Sequence, residues 1–143
     1  MTSNNKNELL LLSGEEKNYA VEFSYVTEIC FDLPISRIPA LPDGFLGMSN
    51  YKGNIVPIIE LKNGGAAIQP VILIMQHLKY QFGLRAEAQL NIIPAGAAAI
   101  VQESGSSGED DADLWREKGL YRYEGKLISL LDVERSIEGI LLL

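Results

Sequence analysis

The sequence is poor in the residues on which most metal and catalytic sites are built. It has one cysteine, one histidine and one tryptophan in 143 residues. A single cysteine excludes a disulfide within the chain and a cysteine-based zinc knuckle or finger. Cys30 reads as a small buried hydrophobe, since no partner base lies near it in sequence. His77, inside the apolar stretch Val71–Leu78, reads as a structural or surface histidine. Bases are also scarce: 12 Lys and Arg stand against 19 acids, a net charge of −7. That balance argues against a nucleic-acid binder, which needs a concentrated basic face, and against attachment to anionic lipid. No stretch reaches the roughly 18 apolar residues of a membrane span. The run Leu9–Leu12 is too short for a signal-peptide core, and no cleavage pattern follows it. The expected compartment is therefore the cytoplasm, without direct membrane insertion. There is no GxxxxGK[ST], no GxGxxG leading into a helix and no nucleophile elbow. We expect no catalytic residue, no metal ligand and no cofactor.

What is present is ordinary globular composition, with 47% hydrophobic and 22% charged residues. The length suits one domain or two tightly joined halves. The acidity is concentrated. Residues 102–113 (QESGSSGEDDAD) carry five acids and no base. This Gly/Ser-rich segment has too little apolar surface to order itself and reads as a solvated loop. Its acids lack the central Gly and final Glu of a calcium-binding loop. Residues 1–16 begin polar and read as a flexible N-terminal segment.

From Tyr19 the chain becomes strand-like. Tyr19, Val21, Phe23 and Tyr25 alternate with Ala20, Glu22 and Ser24, and Val26–Cys30 extends this character after a bend. Pro34, Pro39 and Pro42 make 32–47 a connection. Phe45–Asn50 and Ile55–Leu61 flank a turn at Lys52-Gly53-Asn54. Pro57 cannot donate to a ladder, so it marks an edge position or a bulge. Val71–Leu78 with Gln81–Ala88, and Gly119–Tyr123 with Leu127–Leu131, read as two further strand pairs. Asp132 caps a closing helix whose Val133, Ile137, Ile140 and Leu141 recur at helical spacing. No crossover helices separate the strands, which points to small antiparallel barrels.

The segment Gly47–Leu61 (GMSNYKGNIVPIIEL) is the most specific. It resembles the signature G-V-x-N-L-R-G-x-V-x-P-V-[IV]-D-L of the CheW-type adaptor domain of bacterial chemotaxis. Tyr19–Ile29 is similar to that family's Y-x-[IL]-x-x-x-x-V-x-E-[IV] stretch. Val71–Leu84 and Leu120–Ile137 are similar to its later strand pair and its closing hairpin and helix. The likeness spans residues 17–138. It implies an all-β fold of two small five-stranded SH3-like barrels in tandem with a C-terminal helix. It also implies a non-enzymatic scaffold that links chemoreceptor cytoplasmic helical tips to the regulatory domain of a chemotaxis histidine kinase, and that pairs with other CheW-like domains. The place would be the cytoplasm at membrane-associated receptor arrays.

The same resemblance implies Glu28 and Lys52 as protein-binding residues; Val26, Ile29 and Ile38 are candidate apolar contacts beside them that read equally as core, and Asn50, Lys52 and Gly53 are candidates that read equally as the hairpin turn. The resemblance matches Glu28 and Lys52 to an acid and a base that lie close together in the family. Lys52 stands where the family has Arg, so the contact would be more point-like. After Gly83-Leu84, where the family runs V-V-D-x-V, the chain has Arg85-Ala86-Glu87-Ala88-Gln89. These changes fall where the second barrel and a kinase-facing surface are expected. Two other readings share the sequence: a related adaptor of type IV pilus motility or another chemosensory-like pathway, and a small all-β ligand-binding or enzymatic domain. An enclosed pocket lined by His77 or several carboxylates would favour the last.

Overall fold

In the computed structural model, residues 8–62, 69–103 and 114–141 are described. They form eleven strands and one α-helix. The strands are β1 (Glu8–Ser13), β2 (Asn18–Glu22), β3 (Val26–Cys30), β4 (Phe45–Tyr51), β5 (Asn54–Glu60), β6 (Pro70–His77), β7 (Tyr80–Glu87), β8 (Gln89–Pro94), β9 (Ala99–Glu103), β10 (Glu117–Tyr123) and β11 (Lys126–Leu131), followed by helix α1 (Val133–Leu141). The all-β class with a C-terminal helix holds.

The expected pair of five-stranded units becomes a six-stranded sheet, ordered β8-β1-β2-β11-β10-β9, and a five-stranded sheet, ordered β3-β6-β7-β5-β4. The units are not in tandem. The chain starts the first sheet with β1 and β2, builds the whole second sheet, and returns to finish the first. Neither sheet is purely antiparallel, because β11 runs parallel to β2 and β5 runs parallel to β7. Those partners are never joined by a single connection, so no crossover helix is needed.

The reading of residues 1–16 as flexible fails for Glu8–Ser13. This stretch is β1, laddered to β2 on one side and β8 on the other. Leu9 and Leu11 face one cluster with Ala20, Ile93, Ile128 and Leu130. Leu10 and Leu12 face the opposite way, into a larger cluster shared by both sheets. A strand buried on both faces needs no alternation of polar and apolar residues. Residues 1–7, and 104–113 of the acidic loop, lie outside the described residues; Gln102 and Glu103 end β9.

The shared cluster joins the two sheets. It takes Val21 and Leu131 from the first, Leu73, Met75, Phe82 and Leu84 from the second, and Trp115, Ile137 and Ile140 beside them. The Trp115 indole N–H donates to the Glu60 carbonyl at 3.1 Å. Asp132 caps α1 as expected, its Oδ1 accepting the Arg135 N–H at 3.0 Å. A separate cluster of Tyr51, Val56, Ile58, Ile72 and Ile74 is contributed by the five-stranded sheet alone. Pro57 lies where β5 is locally an edge, since the β5–β7 ladder begins at Ile58.

Of the departures at 85–89, Arg85, Ala86 and Glu87 do not fall in a unit apart from the signature hairpin: they lie on β7, which is laddered to β5 in the same sheet, while Ala88 follows β7 and Gln89 opens β8 in the other sheet. Ala86 and Ala88 are buried in the shared cluster. Arg85 reaches Glu60 at 3.6 Å and Glu87 at 3.9 Å, so its charge has partners on the two adjoining strands' ends.

Candidate functional site

The turn between β4 and β5 is built by three neighbouring residues. Lys52 and Gly53 both take positive φ, +51° and +88°. That is the requirement of a two-residue type I′ hairpin, whose twist matches the flanking strands. The Asn50 side-chain oxygen accepts the Gly53 N–H at 2.9 Å and fixes the turn from inside. Three residues before Asn50, at Gly47, β4 has just passed a bulge. A Cβ there would stand 2.2 Å from the Ser36 carbonyl oxygen. Only glycine allows the close bridge in which Ser36 and Met48 exchange hydrogen bonds of 2.7 and 2.9 Å.

This turn meets β3, the outer strand on the opposite side of the same sheet. Glu28 of β3 accepts a hydrogen bond from the Tyr51 hydroxyl on Oε1. Lys52 Nζ lies 3.2 Å from the same oxygen. The Glu28 and Lys52 side chains are 42% and 71% exposed, so the pair stands at the surface, while the Tyr51 ring is buried beneath it. Lys52 Nζ also lies 5.5 Å from the Tyr51 ring centroid. Lower on the seam, the Ser49 hydroxyl donates to the Pro34 carbonyl at 2.6 Å.

The electrostatics follow from these contacts. The Tyr51 hydroxyl, and then Lys52, hold the Glu28 carboxyl below its ordinary range. In return Glu28 raises the Tyr51 hydroxyl and the Lys52 ammonium above theirs. Burial, and then the Glu28 charge, push the Cys30 thiol up and away from thiolate chemistry.

The structure thus brings together Glu28, Asn50, Lys52 and Gly53. It does not bring Val26 or Ile29 to the same surface. Both are half-buried and pack on the shared cluster, because a bulge in the β3–β6 ladder falls between Val26 and Glu28. Ile38 lies in the connection from β3 to β4 and is exposed. Two apolar residues that sequence reasoning did not single out are more exposed: Phe31, one position past β3, at 60%, and Ile55, opposite Asn50 in the hairpin, at 62%. Tyr51 was missed as well; the available signal was a hydroxyl at the place where the signature has Leu.

His77 takes no part in this site. It lies 4.0 Å from Glu134, with its ring edge-on to Tyr25 at 5.7 Å. Three open grooves lined by described residues contain neither His77 nor a pair of carboxylates. Among the described residues, no group of three or more His, Cys, Asp and Glu side chains is placed to hold a metal ion.

A family model, the CheW-like domain, matches residues 8–140. The chain belongs to the CheW-like domain family. The match includes β1, nine residues ahead of where the sequence resemblance began. Among solved structures, the CheW-like chain is similar to the scaffolding protein TtCheW from Thermoanaerobacter tengcongensis. The two are 23% identical with a TM-score of 0.69, and the alignment covers 89% of each chain. No curated protein matches the chain. Within this CheW-like fold the hairpin that resembles the signature is β4–β5, and Glu28 and Lys52, which the sequence resemblance matched to an acid and a base of the family, form the ion pair described above.

Proposed function

We propose that the chain is a non-enzymatic scaffold that couples chemoreceptor cytoplasmic tips to the regulatory domain of a chemotaxis histidine kinase. The observation that carries this reading is the Glu28–Tyr51–Lys52 seam, which joins two residues of the signature hairpin to the acid of the upstream stretch that also resembles the family, within a chain that matches the CheW-like domain. A scaffold needs a rigid surface with a few fixed polar groups beside apolar ones, and no reacting group. Glu28, Asn50, Lys52 and Gly53 would take the receptor's helical tip, with Ile38 extending the surface. Val26 and Ile29 would act from beneath, by holding β3 against the shared core. The description of the similar TtCheW as a scaffolding protein supports the same reading. The kinase domain, or another CheW-like domain, would dock on a barrel face elsewhere. Such partners put the protein in the cytoplasm at membrane-associated receptor arrays.

The reading includes closure of each sheet into a barrel. For the five-stranded sheet the support is that its outer strands, β3 and β4, are linked through Glu28 and Tyr51, and that Ser36, in the connection leaving β3, bridges Met48 of β4. For the six-stranded sheet, the outer strands β8 and β9 are consecutive, joined by a single 3-10 turn at Ala95–Ala97.

Charge exchange tests the receptor surface. Glu28→Lys and Lys52→Glu should each weaken binding to a receptor cytoplasmic-tip hairpin, and the double variant should recover the part of the loss that comes from the broken pair, though not any part that needs a carboxylate at position 28. A double variant that binds no better than the single ones refutes direct pairing as the basis of the surface. A pull-down from the source cell should return a receptor with a long cytoplasmic coiled coil and a histidine kinase. Recovery of pilus-motility components instead would move the protein to the related adaptor class, and recovery of neither would refute the scaffold reading.

A further inference from the structure

We infer that Tyr51 is the positioning residue of the seam: its hydroxyl holds the Glu28 carboxylate in one orientation, with Oε1 tied to the protein and Oε2 offered to a partner's hydrogen-bond donor. The inference deepens the scaffold reading and rests on it for the identity of the partner.

The argument starts from what lysine cannot do. An arginine presents a planar fork and can fix both the distance and the direction of a carboxylate; a lysine ammonium is a point charge on a flexible stem. Lys52 is the more exposed of the pair, at 71%, and sits on the turn itself. Alone it would leave the Glu28 carboxylate free to rotate. Tyr51 supplies the missing constraint from a rigid place. Its ring is buried at the end of β4 among Val56, Ile58, Ile72 and Ile74, so the position of its oxygen is set by core packing. A buried tyrosine hydroxyl needs a hydrogen-bond partner, and this one donates to Glu28. Tyrosine stands where the signature has leucine, and lysine where it has arginine. The two changes are adjacent and complementary: the ring keeps the apolar contact of leucine, and the hydroxyl takes over the aiming role of the fork.

The contacts also specify which oxygen is free. Tyr51 and Lys52 both approach Oε1. Neither of these contacts is made to Oε2. With the side chain 42% exposed, the acceptor presented outward is one carboxylate oxygen whose partner must bring an N–H or O–H. On a receptor tip this would be a basic or amide side chain.

The test is Tyr51→Phe, which removes one oxygen and keeps the ring. In the free, full-length protein, NMR titration of the Glu28 side-chain carboxyl carbon should move up toward the ordinary glutamate value of about 4.3, and further than it does in Lys52→Ala. An unchanged Glu28 titration in a folded Tyr51→Phe protein overturns the inference. A second readout uses the parent protein only: the Tyr51 Cζ resonance should shift in step with Glu28 protonation, and a Cζ signal blind to that event overturns the inference without any variant. Binding of a receptor-tip hairpin should weaken roughly three- to tenfold in Tyr51→Phe. Glu28→Gln, whose amide nitrogen takes the Oε2 place, should bind as poorly as Glu28→Ala; binding at the parent level overturns the free-acceptor role. If the parent protein itself does not bind the hairpin, the scaffold reading fails, and the two titrations still decide whether Tyr51 positions Glu28.

Discussion

Removing residues 1–13 should unfold this protein. The segment supplies β1, and Leu9, Leu10, Leu11 and Leu12 are each no more than 6% exposed. Full burial of a leucine contributes about 1.5–3 kcal/mol, so the four together contribute roughly 6–12 kcal/mol. Total stability for a domain is about 5–15 kcal/mol, and the truncation removes a comparable amount. It also strips β2 and β8 of a shared partner, leaving two rows of backbone donors and acceptors unpaired in the middle of a sheet. Leu12→Ala is the finer probe. Leu12 is fully buried in the cluster shared by both sheets, so its loss should cost about 2–5 kcal/mol by removed transfer energy and residual cavity. Far-UV circular dichroism and amide NMR spectra would follow the truncation, and urea unfolding the substitution. A truncated chain with native-like amide dispersion and a cooperative transition would refute the reasoning. So would a Leu12→Ala protein within about 0.5 kcal/mol of the parent, the range of an ordinary surface substitution.

Two further outcomes are expected. Gly47→Ala should cost about 1–3 kcal/mol, since the added Cβ breaks the two Ser36–Met48 hydrogen bonds at roughly 0.5–1.5 kcal/mol each; in urea unfolding it should be worse than Gly53→Ala, where nothing lies within 4 Å and only the positive φ is strained. Glu28 should contribute a slope to stability on the acid side. Its folded pKa is lowered by Tyr51 and then Lys52, so its contribution is present above the unfolded value and is lost as pH falls through the folded one. Glu28→Gln should flatten the stability curve in that acid window and lower it near neutrality, where the charged contact is otherwise intact, and an unaltered slope between pH 5 and the acid limit would count against the contact.

The hairpins were readable because their cause is local. Lys52-Gly53 and Glu124-Gly125 both fold as two-residue turns with positive φ at both positions, and glycine at the second place announces such a turn. The helix was readable from its cap and its stripe. β1 was not, because a strand covered on both faces shows an unbroken apolar run, and four leucines after a polar start look like the edge of a tail. β9 hid for the opposite reason. It is laddered to β10 only, and Ile100 and Val101 stay about half exposed, so its residues show neither alternation nor a full apolar run. The ion pair of Glu28 and Lys52 came from family resemblance alone. Composition and periodicity say nothing of a contact between residues 24 positions apart. The Tyr51 hydroxyl bond was out of reach for the same reason.

The shared core limits how the site can be probed. Val26 and Ile29 lie on the same strand as Glu28, yet they pack on the cluster that joins the two sheets. Substituting either one moves β3, and β3 carries Glu28, so a loss of receptor binding there mixes a changed contact with a displaced strand. Glu28, Lys52 and Ile38 stand on the surface and can be exchanged with little loss of core packing. Arg85 is constrained in another way. It lies between Glu60 and Glu87 on strands of the signature sheet, so removing its charge leaves two half-buried carboxylates without that partner. A binding defect from Val26, Ile29 or Arg85 variants therefore carries weight only beside an unchanged unfolding midpoint. A defect from the surface pair carries weight by itself, through its rescue in the exchanged double variant.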